Sequence, residues 1–215
     1  MRKVLPLTLL LVIFATTSIA DTLLFEDPFQ GKLKEGWSWL REDPAGWRVT
    51  DNGLEIKIEP GNMWGGANDA KNILMRPVSI PKTGLSVQCS IENSPSSQYE
   101  QVDLVWYYDD AHMVKIGLEL VHGQLSLVMG REEKDRAKTL SIIPLKSGKL
   151  DLRLDVHGKN IRGQWRYTGT GKWQEGGKCD LPVKGAPKIT LQCYQGNPND
   201  VHWARIHSFK MVELD

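Results

Sequence analysis

The chain has 215 residues, with 27 Lys and Arg against 26 Asp and Glu and a formal net charge of +1. That balance, with no basic run, excludes the electrostatic footprint of a nucleic-acid binder. Beyond the first twenty residues no apolar stretch approaches the about 20 residues of a membrane span, so the rest is expected to fold as one domain with a sizeable core.

The N-terminus has the form of a secretory signal. Arg2 and Lys3 start it, Leu5 to Ile13 are apolar, and small residues at Ser18 and Ala20 place cleavage after Ala20. The apolar run is short for an uncleaved anchor, and no Cys follows it to carry a lipid. The expectation is an exported protein, secreted or periplasmic, with no membrane contact after cleavage. Residues 21–215 would form the mature domain, and loss of Arg2 and Lys3 would take its charge to about −1.

Leu23 to Phe29 reads as a short edge strand ended by Pro28. In the next stretch Trp37, Trp39 and Arg41 alternate with Ser38 and Leu40, and Asp43 to Gly46 is a turn. Asn52-Gly53 is a tight-hairpin signal, since both residues tolerate positive φ. Leu54, Ile56 and Ile58 then alternate with Glu55, Lys57 and Glu59. Pro60 to Asn72 is a Gly- and Asn-rich loop around a lone Trp64, and loops of that length in a compact domain are often functional. Short strands follow at Asn72–Pro77 and Leu85–Ile91.

Tyr99 to Leu120 is the organising hairpin, turning at residues 108–111. Val102, Leu104 and Trp106 share one face with Val114, Ile116, Leu118 and Leu120. Gln101, Asp103, Val105 and Tyr107 share the other with Lys115, Gly117 and Glu119. Lys115 and Glu119, four residues apart on a strand, are separated by about 13 Å along it and are expected not to touch. Asp103 is a candidate cross-strand partner for Lys115. His122-Gly123 turns into another strand. Arg131 to Lys138 is read as a solvated loop or strand edge, and strands with Gly, Asn or Pro turns continue to the C-terminus.

No stretch beyond residue 20 keeps a helical apolar period. About a dozen short alternating strands predict an all-β, two-sheet antiparallel sandwich. Cys89 and Cys193 share parity with apolar neighbours and should face inward; export permits a bridge between them, but spacing does not fix pairing among three cysteines.

Trp37-x-Trp39-x-Arg41-x-Asp43-Pro44-x-x-Trp47 resembles the opening of the concanavalin A-like domains of the DUF1349 family and of β-xylosidase C-terminal domains. Glu100-Gln101 with Lys115-x-Gly117-x-Glu119 is similar to the DUF1349 core, and the Trp64 loop sits where that family has an aromatic loop. The resemblance spans about Phe25 to Met129 and continues from Asp151 as strand rhythm. Asp103 departs from it, standing where a small residue is usual. The resemblance implies a curved jelly roll with a concave face and an association with carbohydrate.

The expected site is the polar face of the hairpin. Gln101, Asp103, Lys115 and Glu119, with Trp39, Arg41, Trp64 and Tyr107, would bind a glycan, polysaccharide included, without cutting it. Aromatic faces suit sugar C–H groups, and amides, acids and cations suit hydroxyls. One alternative is a glycoside hydrolase or lyase using Asp103 and Glu119, since such enzymes need two carboxylates flanking the bond. Another is a structural or protein-interaction module whose polar face is merely solvated. No cofactor is expected. A structural Ca²⁺, which lectin-like sandwiches often hold, has Asp27, Asp69, Asp109 and Asp110 as candidates but no specific ligand spacing, and is not predicted.

Overall fold

The computed structural model describes residues 22–215, so the leader expected at residues 1–20 lies outside the described residues. The described chain is a two-sheet antiparallel β-sandwich, as its alternation predicts. No helix among the described residues is long and apolar enough to cross a membrane.

The strands are β1 (Thr22–Asp27), β2 (Ser38–Leu40), β3 (Trp47–Thr50), β4 (Gly53–Lys57), β5 (Ile73–Pro77), β6 (Leu85–Glu92), β7 (Gln101–Asp109) and β8 (His112–Val121). They continue with β9 (Gln124–Glu133), β10 (Arg136–Pro144), β11 (Lys149–His157), β12 (Asn160–Tyr167), β13 (Gln174–Asp180), β14 (Lys188–Tyr194) and β15 (Trp203–Glu213). One sheet runs β13-β12-β11-β6-β15-β4-β3, with β1 also on β15; the other runs β10-β9-β8-β7-β14-β5-β2. β15 is long enough to carry β6 along one side, and β4 and then β1 along the other.

The apolar parities meet between the sheets. Val102, Leu104 and Trp106 of β7 and Val114, Ile116 and Leu118 of β8 join Leu54, Ile56, Val87, Ile91, Leu152 and Phe209 in one buried cluster. Each such side chain contributes about 1.5–3 kcal/mol relative to exposure. At one end Asp27, fully buried, ties the first strand down. Its carboxylate accepts from the Phe29 and Lys34 amides at 2.8 and 2.9 Å and from Trp37 Nε1 at 2.9 Å.

Two expectations are corrected and a third is borne out in part. The charge run at 131–138 is the β9–β10 hairpin, turning through Lys134 and Asp135 in the left-handed region, and its Arg136–Lys138 lie exposed on β10, the edge strand of the sheet. Charges on both faces hide its alternation. The face of the second sheet opposite the core is only partly wet. Val105, Tyr107, Met113 and Tyr194 form a second buried cluster with Met63, Ala70 and Ile73, because the 60–72 loop folds back over them. Lys115 and Glu119 do touch, through their side chains. The cysteines are free thiols, Cys89 and Cys193 both buried.

Candidate functional site

Register assembles the site. On the face away from the core, β7 and β8 pair Gln101 with Glu119, Asp103 with Gly117 and Val105 with Lys115. β9 sets Gly130 beside Lys115, and β14 sets Gln192 beside Asp103 and Tyr194 beside Gln101. Gly117 is required: a Cβ there would strike the Asp103 carboxylate and the Val102 carbonyl.

Lys115 is 2% exposed. Its ammonium donates to Gln101 Oε1 and to Glu119 Oε2 at 3.3 Å, and lies 3.7 Å from Asp103 Oδ2. The expectation that Lys115 and Glu119 stay apart is wrong because their backbone separation is spanned by two long side chains leaning along the strand. The ammonium also faces the Trp64 ring, 4.9 Å from its centroid, and the Tyr194 ring at 5.9 Å. A buried ammonium is tolerated only with such partners.

Asp103 lies beneath this group, 1% exposed. Burial pushes its carboxyl up to about 6; Lys115 opposes the rise and Glu119 adds to it. The Tyr194 hydroxyl sits beside it without closing a well-formed hydrogen bond, and neither carboxylate oxygen has a hydrogen-bond partner in the protein. Burial likewise drives the Tyr194 phenol well above its ordinary value.

Trp64 roofs the same group. Asn62 Oδ1 accepts from the Met63 and Trp64 amides at 2.9 and 3.1 Å, and its Nδ2 donates to the Trp64 carbonyl at 3.0 Å. Gly65 and Gly66 turn at φ 72° and 84°, a conformation that favours glycine. Their amides donate to the fully buried Glu132 carboxylate at 2.9 and 3.2 Å. The indole then rests on Gly130, where any side chain would collide with it.

The result is a cavity of about 320 Å³ lined by Trp64, Gln101, Lys115 and Glu119 together with Asn62, Tyr99, His122 and Gln195. Four of the expected site residues therefore converge on one cavity, with Asp103 sealed under its floor. Trp39, Arg41 and Tyr107 do not line it. Trp39 stacks on Trp47, ring centroids 4.8 Å apart, and packs on the core. Arg41, at φ 54°, donates from Nε to the Ala70 carbonyl at 2.6 Å and abuts Met63, bracing the back of the aromatic loop. Tyr107 is 6% exposed in the second cluster and donates its hydroxyl to Asp110 at 2.6 Å.

Tyr99, His122, Asn62, Gln195 and the anchor Glu132 escaped the sequence reading. Tyr99 carried a signal, since it shares parity with Gln101 and Asp103; the others depend on turns or on a distant register. Asp103 and Glu119 are both held on one ammonium, and Asp103 is 1% exposed, an arrangement unlike two carboxylates flanking a substrate bond. Of the calcium candidates, Asp27 is engaged as above, Asp69 accepts from the Asn62 amide at 2.7 Å, and Asp109 accepts from the Ala111 amide at 3.0 Å within its turn. No group of three or more His, Cys, Asp or Glu among the described residues is arranged to hold a metal.

Residues 26–186 match the family of β-xylosidase C-terminal concanavalin A-like domains. Solved structures share the fold at low identity. Superposition on the GH43 protein BlXynB from Bacillus licheniformis gives a TM-score of 0.77 at 18% identity, covering 87% of this chain and 39% of that one. The xylan β-1,4-xylosidase from Bacillus halodurans C-125 gives 0.74 at 17% identity, covering 94% and 41%. A functionally unknown protein from Saccharomyces cerevisiae gives 0.65 at 16% identity, covering 84% and 98%. The chain thus spans about two fifths of the length of these two GH43 chains. No curated protein matches it significantly.

Proposed function

Because the chain belongs to the family of β-xylosidase C-terminal concanavalin A-like domains, we propose that it binds a glycan in the cavity beside Trp64 and does not cut it. The observation that carries this reading is a tryptophan, held in a pinned loop, lining one cavity together with Gln101, Glu119 and Tyr99. Trp64 and Tyr99 offer apolar ring faces to sugar C–H groups, and the floor and rim offer donors and acceptors to hydroxyls. At about 320 Å³ the cavity is at the small end of ligand pockets, about 300–1,000 Å³, which suits one or two sugar residues of a longer chain. Xylan and xyloglucan appear in the names of similar solved structures, and these polysaccharides are the first ligands to test. Export through residues 1–20 would place the domain where such polymers occur.

Calorimetry and affinity electrophoresis against xylan and xyloglucan, with short oligosaccharides of each, test the reading. Saturable binding is expected, weakened at least tenfold by Trp64→Ala while the fold persists. Absence of saturable binding to every polymer, or a Trp64→Ala protein that binds as well as the parent, would refute it. Release of reducing ends that Glu119→Gln abolishes would replace it with the hydrolase reading.

A further inference from the structure

The charges around the cavity specify more than a sugar. Among the described residues Lys115 is the only Lys or Arg lining it, and the cation is spent internally. Its ammonium contacts two carboxylates, those of Glu119 and Asp103, besides the Gln101 carbonyl. At 2% exposure it offers no free face for an anion. Arg41, the other cation expected here, is turned away onto the Ala70 carbonyl. Glu132, fully buried behind the Trp64 loop, is a third carboxylate close to the group. All three acids act on the Tyr194 phenol beneath the floor, each raising it, which places their fields in one small volume.

We propose that this pocket discriminates by charge, accepting neutral sugar residues and refusing those bearing a carboxylate, with Glu119 as the specificity-determining group. The proposal rests on the glycan reading above and adds the ligand class. A uronate entering beside Glu119 would bring a further negative charge to a group already holding more acids than cations. It would also have to shed water without gaining a cationic partner. A neutral sugar meets neither penalty, and its hydroxyls can donate to Glu119 and accept from the Gln101 amide. Glu119, 8% exposed at the wall, is the acid within a ligand's reach; Asp103 and Glu132 are sealed.

The test uses matched oligosaccharide pairs on the whole protein: xylo-oligosaccharides with and without a glucuronic acid branch, and galactan against galacturonan oligomers. Calorimetry at pH 7.5 and low salt gives the affinity ratio within each pair, for the parent and for the near-isosteric Glu119→Gln. For the parent the neutral member is expected to bind at least tenfold tighter, with the ratio falling below about threefold in Glu119→Gln. Equal or tighter binding of the uronate-bearing member by the parent overturns the charge proposal and leaves glycan binding standing. A ratio that Glu119→Gln does not change removes Glu119 as the determinant. No binding to either member of any pair defeats the glycan reading, and this proposal with it.

Discussion

Asp103 shows how burial turns one side chain into a titrating group with a measurable effect on stability. Its carboxyl sits near 6 in the fold, above the 3.8 of an unperturbed aspartate, because burial outweighs the attraction of Lys115. Between those values Asp103 holds more of a proton in the fold than in the unfolded chain, so its own contribution to stability is full below the unfolded value and is lost as pH rises through about 6. Asp103→Asn keeps the shape and is neutral at every pH. It is expected to be more stable than the parent by about 1–3 kcal/mol at pH 8, with the gain shrinking toward zero by pH 4. Urea denaturation across that range measures it; a variant less stable at pH 8 would mean that the Lys115 contact outweighs burial. Protonating Asp103 also removes one of the two carboxylates holding Lys115, so discrimination against uronates should relax below pH 6. Lys115, Glu119, Glu132, Tyr194 and Cys193, with Tyr99 and His122 in the cavity lining, are the other titratable groups around this cluster.

Two glycines make room for the side chains around the pocket, Gly117 for Asp103 beneath it and Gly130 for Trp64 beside it. At Gly130 a new Cβ meets the far end of the Trp64 ring, which can swing away. At Gly117 it meets the Val102 carbonyl as well as Asp103, and backbone cannot move so freely. Gly130→Ala is therefore expected to cost less than about 1 kcal/mol, yet shift Trp64 fluorescence and weaken glycan binding. Gly117→Ala should cost about 2 kcal/mol or more. Denaturation curves paired with binding isotherms on both variants check this. The same contrast marks how far the sequence could reveal the site. The inner and outer faces of β7 and β8 were legible because a strand's period of two sorts Leu104 from Asp103 within a few residues. The resting place of Trp64 was not, because Glu132 and Gly130 lie on β9, more than sixty residues further along the chain. Glu132 itself was masked by charged neighbours. Trp39 and Arg41 misled for the opposite reason. β2 is only three residues long, and contacts with Ala70 and Met63, rather than alternation, direct the Arg41 side chain just beyond it.

The two-layer architecture was legible from alternation alone, while the strand order was not. β1 and β15 are nearly at opposite ends of the described chain and pair side by side, and nothing local specifies that. The core they help close contains Cys89 and Cys193 as buried thiols, whose ionisation burial opposes strongly. Protein purified without reductant is expected to titrate three thiols in denaturant, to show Cys89 and Cys193 unreactive while native, and to melt at one temperature with or without reductant. Fewer than three thiols would place a disulfide in the domain. The shielding of Lys115 has a practical corollary. Acylating reagents react with lysines that water can reach, and most of this chain's lysines lie on its outer surfaces, whereas the one amine in the cavity is packed among its partners. The domain can therefore be coupled through its amines to a sensor chip or a bead with the chamber beside Trp64 left chemically untouched.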